Sequence, residues 1–529
     1  MRLGSLFQLS KKKFCNLQIK GICFDSRKAK KGEIFFAIKG NKTSGNKYLK
    51  DVIAKKVLAV VSEKKIKIKN SKVLFFQVKD VRLSLAKACS IFYRKKPTKI
   101  VAVTGTNGKS SVASFFVQLF NLNNKLAASI GTLGIISSKY KKKTNLTSID
   151  PLLLNKTLNF FAEKKINNVI IEASSHGLLQ KRINFLNLKT GIFTNLSHDH
   201  LDYHKNMKNY FNSKLYLFKN LLKKRSLIIF DNEIKETKIL KKIAKSKKLK
   251  VLTIGKNTGV LKVLKHSYEG NYQVVTIYHS SSFYKLKISL IGFFQIKNLL
   301  MAILAAHSCG LNMKNILNKI CKIKPVPGRL ECISNLSNDS KVILDYAHTP
   351  DALENSLEAL KQHFGKNIVL VFGCGGERDK KKRPIMGKIA SKYCRKIFVT
   401  DDNPRNENPQ NIRNAIMSTC NKQAVEVSNR KSAIEEAILE LKPKEILLVA
   451  GRGHEVIQDY GKRKINFSDK NIIKNIVKKN KNIISKNLQK NILKESFNKK
   501  EIDKLNYNGV SMDTRTIKKN NLFFAIKGE

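Results

Sequence analysis

Residues Ile100-Val-Ala-Val-Thr-Gly-Thr-Asn-Gly-Lys-Ser-Ser111 decide the fold. An apolar run, a glycine turn and the start of a helix follow one another, the order found where a parallel sheet binds phosphate. Gly105 and Gly108 let the backbone N–H groups of Thr106 and Asn107 approach phosphate oxygens closely. Lys109 would set a cation on the β and γ phosphates of ATP, and Ser110 a hydroxyl on Mg²⁺. The helix N-terminus at Ser110 and Ser111 adds its partial positive charge. The strict G-x-x-x-x-G-K-[S/T] spacing is not met, because Val103 stands at its first glycine. A glycine turn beside a solvated lysine is the bland alternative; strand, turn and hydroxyl in this order favour an ATP site.

On either side of this stretch, apolar runs alternate with helical ones. Ile100–Val103, Val169–Ile171, Gly191–Thr194 and Leu227–Phe230 read as strands, and strands alternating with helices predict βαβ units and a parallel sheet. Pro325-Val-Pro-Gly328 marks a boundary. Beyond it, Val342–Leu344, Ile368–Phe372, Ile397–Thr400 and Ile446–Ala450 predict a second α/β domain. Before residue 98, Ile34–Ile38 and Val57–Val61 belong to a smaller mixed domain. The reading is therefore an α/β chain with domains at 1–97, 98–325 and 326–480, followed by a linker and tail at 481–529.

Composition narrows the function. The 529 residues hold 103 Lys+Arg against 38 Asp+Glu, a net charge of +65. These cations are spread along the whole chain, with no arginine-rich arm or helix-turn-helix pattern, so they read as solvated faces and not as a nucleic-acid surface. An apolar content of 42% excludes wholesale disorder. No stretch reaches the ~18 uninterrupted apolar residues of a membrane helix, and the N-terminus lacks the apolar core of a signal peptide. The nine cysteines contain no C-x-x-C pair and suit reduced thiols in a cytoplasm.

Downstream of the loop lie groups that a metal would use. Glu172 ends the run Val169-Ile-Ile-Glu172, at the strand edge where α/β ligand sites form. Asn195-Leu-Ser-His-Asp-His-Leu-Asp-Tyr-His204 packs three histidines and two aspartates into ten residues. Mg²⁺ prefers oxygen, so the histidines alone point to it weakly.

Together, TGTNGKSS, EASSHG and NLSHDHLDYH resemble the Mur ligases, ATP-dependent amide-forming enzymes of peptidoglycan precursor synthesis. Further matches follow in order: Gly328-Arg-Leu-Glu331, Asp345-Tyr-Ala-His-Thr-Pro350, Phe372-Gly-Cys-Gly-Gly376, Asp402-Asn-Pro-Arg405 and Gly451-Arg-Gly-His-Glu455. The resemblance implies three domains: an N-terminal one for the uridine nucleotide, a central P-loop-type ATPase, and a C-terminal Rossmann-like one that brings the amino acid. It implies a ligase acting on UDP-N-acetylmuramoyl-L-alanyl-D-glutamate through an acyl phosphate, with ATP and Mg²⁺. A monomer with neither nucleic-acid nor membrane partners is expected.

The resemblance also assigns roles. Lys109, His200 and Lys214 are implied as catalytic, Lys214 as a carbamate. Gly105, Thr106, Asn107, Gly108, Lys109, Ser110, Ser111, Asn298, Arg329, Asp345 and His348 are implied around ATP. Gln295 stands where relatives carry a first adenine-site asparagine. Ser26, Thr147, Ser148, Ser174, Gln180 and Arg182 are implied for the UDP-substrate, with Ile149 where many relatives have proline. Ser110, Glu172, His200 and Lys214 are implied at the metal. Asp402-Asn403-Pro404-Arg405 is the meso-diaminopimelate version of its motif, and Gly451 and Glu455 complete that site. Arg405 offers a planar fork for the distal carboxylate that lysine lacks. Folylpolyglutamate synthetases share the TGTNGK loop, but the Asp25-Ser-Arg27 segment and Asp402–Arg405 argue against them.

One repeat stands outside this frame. Asp25–Gly40 and Asp513–Gly528 align without gaps at an offset of 488, with ten of sixteen positions identical. The tail thus resembles the start of the D-alanyl-D-alanine-adding Mur ligase, without a second phosphate loop. About 20 residues cannot bury enough surface to fold alone. Deleting residues 485–529 is therefore expected to leave ligase activity and the thermal midpoint largely unchanged. Loss of either, or D-alanyl-D-alanine ligation by the full chain, would show a working role for the tail.

Overall fold

The computed structural model describes residues 1–7, 12–40, 43–66, 72–144, 146–365, 367–480, 509–511 and 521–523. Near the N-terminus, strands Gly21–Cys23, Glu33–Phe36, Ala59–Ser62 and Leu74–Gln77 form a parallel sheet in that order. Ile34, Phe35, Phe36, Val60 and Val61 are all buried, as continuous apolar runs must be when both faces are covered. Helix Val81–Phe92 lies against this core, started by Asp80, whose carboxylate accepts the Leu83 N–H.

The central sheet has eleven strands. Lys99–Thr104 lies inside it, between Leu188–Phe193 and Asn168–Glu172, parallel to both. The four strands expected from residues 100–230 all belong to this parallel part. Helices Lys109–Leu122 and Phe293–Ser308 close one face over Val101, Val103 and Ile192. Helix Pro151–Glu163 closes the other over Ile100, Ala102 and Phe193. The structure adds antiparallel strands that the sequence analysis did not single out, Leu261–Glu269, Tyr272–His279 and Ser282–Ile288 at one edge. Burial alternates along Leu261–Glu269 and Ser282–Ile288, the sign of a sheet with one wet face.

The C-terminal sheet runs Glu331–Asn335, Lys341–Leu344, Ile446–Val449, Ile368–Phe372, Cys394–Val399 and Ala424–Glu426. All its pairings are parallel except the first. In the central sheet, the glycine loop at 105–108 follows the carboxyl end of Lys99–Thr104, where α/β ligand sites form.

Of the tail, the strands Gly509–Ser511 and Asn521–Phe523 are described. They pair in parallel with Gly509 opposite Asn521, as Gly21 lies opposite Glu33. The sequence offset of 488 thus recurs in strand register. The rest of the tail, on which the expectation of a second N-terminal domain start falls, lies outside the described residues.

One buried ion pair holds the C-terminal domain to its last helix. Asp469 accepts Arg430 Nε at 2.9 Å and Nη2 at 2.8 Å, with both side chains fully buried. Arg452 approaches the same carboxylate at 3.9 Å and donates to Asn403 Oδ1 at 3.0 Å. Removing one partner of such a pair strands the other charge. Asp469→Ala should cost about 3–5 kcal/mol in urea unfolding, and a loss below about 1 kcal/mol would contradict this account.

Candidate functional site

The phosphate loop takes its shape from its glycines. Gly105 and Gly108 adopt φ of +147° and +85°. A Cβ on Gly105 would stand 1.8 Å from Thr194 Oγ1, and one on Gly108 2.4 Å from Asn298 Oδ1. The loop is tied to the next strand end: Thr106 N donates to Asn195 O and Asn107 N to Asn195 Oδ1, each at 2.9 Å. Lys109 Nζ turns back to the carbonyls of Gly105 and Thr106, at 2.8 and 2.6 Å. Lys214 Nζ reaches the same Gly105 carbonyl at 2.7 Å. Burial holds both amines below their usual pKa, Lys214 far below, with Lys109 adding repulsion.

This loop lines a cavity of about 1070 Å³ shared by the central and C-terminal domains. Glu172, buried at its strand end, accepts Ser110 Oγ at 3.0 Å, Thr132 N at 3.0 Å and Thr132 Oγ1 at 2.9 Å. Ser148 Oγ donates to Glu172 O at 2.7 Å and accepts Ser174 N at 2.8 Å. Thr147 and Thr132 hydroxyls pair at 3.0 Å. Gln180 Oε1 accepts Arg182 Nη2 at 2.7 Å. Thr147, Ser148, Ser174, Gln180 and Arg182 all face the cavity. Ser26 does not; it opens the short 3-10 turn Ser26–Lys28 in the N-terminal domain.

Gln295 and Asn298 both face the cavity, and the Asn298 amide donates to Gln295 Oε1 at 3.3 Å. Glutamine therefore keeps a polar group beside Asn298. From the C-terminal side come Arg329, stacked 4.4 Å over the Tyr346 ring, and Asp345, which accepts Leu330 N and Ser356 Oγ. His348 Nδ1 lies 2.9 Å from Tyr346 O.

At the far end, Asn403 Nδ2 donates to Glu455 Oε2 at 2.9 Å. Asp402 Oδ2 is buried with no hydrogen-bond partner among the described residues. Gly451, at φ +109°, lets that carboxylate sit where a Cβ would be 2.5 Å away. Arg405 Nη1 donates to Gly376 O at 2.7 Å, and Arg378 flanks the same loop. Pro404 supports the turn without facing the cavity. Bonds between the two domains at the cavity include Asn107 Nδ2 to Asp351 Oδ2 and His198 Nε2 with Asp379 Oδ2, each 2.9 Å.

Sequence reasoning missed Asp351, Arg378, Tyr346 and His454 and gave Asp199 no role beyond a metal-rich stretch; all five line the cavity. Tyr346 and His454 lay inside quoted motifs, so their positions were visible and their roles were not. Of the four residues expected at a metal, Ser110 and Glu172 are in contact, while His200 pairs with Asp199 at 3.3 Å. Among the described residues no three His, Cys, Asp or Glu side chains cluster as a metal cage. Mg²⁺ commonly takes one or two carboxylates plus substrate phosphates and water, so the oxygen pair of Ser110 and Glu172 fits it.

Burial holds His176, His200, His348 and His454 down to about 4. Lys382 adds to this at His348 and Arg329 at His454. As pH falls below the usual imidazole value of about 6.5, the unfolded chain binds protons that the folded one refuses. Their contribution to stability is thus full above about 6.5 and lost toward about 4. The urea midpoint should fall across that window, less steeply in His348→Asn; an equal slope would argue against His348.

Three family descriptions match in order: Mur ligase family, catalytic domain, at residues 18–93; Mur ligase middle domain at 103–306; and Mur ligase, glutamate ligase domain, at 328–453. A UDP-N-acetylmuramoyl-L-alanyl-D-glutamate–2,6-diaminopimelate ligase of Rickettsia montanensis is 40% identical over 475 residues, 88% of this chain and 98% of that protein. A solved structure of a ligase of the same name superposes with a TM-score of 0.66 at 28% identity, covering 90% of this chain and 99% of that one. Folylpolyglutamate synthase of Mycobacterium tuberculosis shares the fold at a TM-score of 0.58 and 16% identity, over 70% of this chain and 92% of its own. With three domains matched in order and that identity along nearly the whole of a relative, the chain belongs to the Mur ligase family.

Proposed function

We propose that this chain is an ATP-dependent ligase that adds meso-diaminopimelate to the D-Glu γ-carboxylate of UDP-N-acetylmuramoyl-L-alanyl-D-glutamate, in the cytoplasm, as a monomer. The observation that carries this reading is the far end of the cavity. There Asp402 holds a buried carboxylate oxygen without a partner, and Arg405 faces the same space. An orphaned carboxylate suits a substrate ammonium, and a guanidinium a substrate carboxylate. A side chain that ends in both groups is diaminopimelate; lysine would leave Arg405 without its anion.

The chemistry then divides in two. The γ-carboxylate of D-Glu attacks the γ-phosphate of ATP, and ADP leaves; the amine next attacks the acyl carbon, and phosphate leaves. Lys109, the loop N–H groups and the helix N-terminus gather the phosphate charge in a site shielded from water. Mg²⁺ held by Ser110 and Glu172, with His200 nearby, would neutralise phosphate charge further. Burial, and then Lys109, hold the Lys214 amine well below its usual pKa, which favours the neutral form that adds CO₂ to give a carbamate. Arg329, Asp345, His348 and Asn298 would hold ATP across the domain junction. Thr147, Ser148, Ser174, Gln180 and Arg182 would hold the UDP-substrate, with Ser26 reaching its uridine end. Asn107–Asp351 and His198–Asp379 hold the cavity walls together while the acyl phosphate exists.

Phosphate release that requires the UDP-dipeptide and diaminopimelate together tests the reading. Arg405→Ala should raise KM for diaminopimelate about 30-fold or more, with KM for ATP within twofold. An unchanged diaminopimelate KM, or turnover of a folate instead, would overturn it. ATP hydrolysis stimulated by RNA and lost steeply with salt would favour a nucleic-acid role.

A further inference from the structure

The two half-reactions need different help. A carboxylate needs no base to attack phosphorus, but an amine that becomes an amide must lose a proton. A group for that task must be an acceptor, must be free, and must lie between the acyl and amine ends of the cavity.

The cavity offers several candidates, and geometry removes most of them. His348, whose Nδ1 lies against Tyr346 O and whose Nε2 stays open, is placed above with ATP and not with the amine. His200, whose Nε2 pairs with Asp199, is placed above at the metal and not with the amine, and His176 is packed against Tyr203, with ring centroids 4.0 Å apart. Burial pushes the Tyr346 phenol up, so it keeps its proton. His454 remains. Its Nδ1 is buried and has no partner among the described residues, and its ring faces the cavity.

His454 also stands in the right place. Its ring packs 5.3 Å from that of Tyr346, on which Arg329 stacks. Its other contact is the Thr132 backbone, and Thr132 bonds both Glu172 and Thr147, on the acyl side. The next residue, Glu455, bonds Asn403, on the amine side. Two glycines hold the ring there. Gly328 and Gly453 adopt φ of +65° and +48°, and a Cβ on Gly328 would lie 2.4 Å from His454 N.

Resting on the ligase reading above, we propose that His454 is the general base of the second half-reaction. As the amine nitrogen bonds the acyl carbon, the C–O bond to phosphate breaks and phosphate leaves with that electron pair. One N–H proton passes to His454 Nδ1, and the imidazolium returns it to solvent as the cavity opens. The charged group that acts on it is Arg329; the Glu455 carboxylate turns instead to Tyr346 and Asn403, and Asp402 lies against Gly451. Burial and then Arg329 keep the imidazole neutral, with its lone pair available. An acyl phosphate beside Arg329 offsets that cation and makes the ring more basic when it is needed.

The test separates the nucleophiles. Hydroxylamine is unprotonated near neutral pH and attacks acyl phosphates without a base, so hydroxamate formation reports the first half-reaction. In His454→Ala, tripeptide formation should fall about 10²-fold or more, hydroxamate formation should stay within about threefold, and added imidazole should restore part of the tripeptide rate. Equal loss with both nucleophiles would overturn the proposal in favour of a structural or ATP-binding role, and no loss with either would also overturn it. If the unaltered enzyme makes hydroxamate but no product with diaminopimelate, the substrate reading fails and not the base.

Discussion

A buried lysine and a half-buried one meet at one carbonyl oxygen. Lys109 and Lys214 both donate to Gly105 O, at the wall of the cavity. Like charges so close in low dielectric are costly unless anions or deprotonation relieve them. The site answers in both ways: it loses protons more readily than free lysine would, and it is shaped to receive phosphate. The rest of the fold supplies the walls that hold these two amines in place.

Those walls come from different layers. The loop is pinned to the adjacent strand end by Thr194 and Asn195, because Gly105 leaves no room for more than a hydrogen atom. Asn298, from the helix that packs on the phosphate-loop helix, presses on Gly108. On the far side, the buried Arg430–Asp469 pair sets Arg452, which in turn orients Asn403 and thereby Glu455. A charge pair with no access to substrate thus positions the amino-acid end of the cavity.

The surplus of 103 basic over 38 acidic residues has a different status. The acids that matter to the site, Glu172, Asp345, Asp402 and Glu455, are few and are buried or half-buried. Lysine fills the solvated faces, where its charge costs little. Composition therefore says much about the surface and almost nothing about the chemistry.

The sequence by itself determined the phosphate loop, the parallel sheets and most of the residues around the cavity, because glycine spacing, apolar runs and local motifs are properties of neighbouring residues. It did not reveal the antiparallel edge at 261–288, whose apolar–polar alternation is weaker than a buried run. It placed Ser26 with the UDP-substrate, but not the distance that separates it from the cavity wall. Only the tertiary structure decided which side chains lack partners. Asp402 and His454 stand in motifs that the sequence shows, but nothing in those motifs says that their polar atoms go unpaired. What distinguishes them is that Gly451, Gly328 and Gly453 let buried polar atoms stand unpaired beside the cavity, and an unsatisfied atom is defined by everything folded around it.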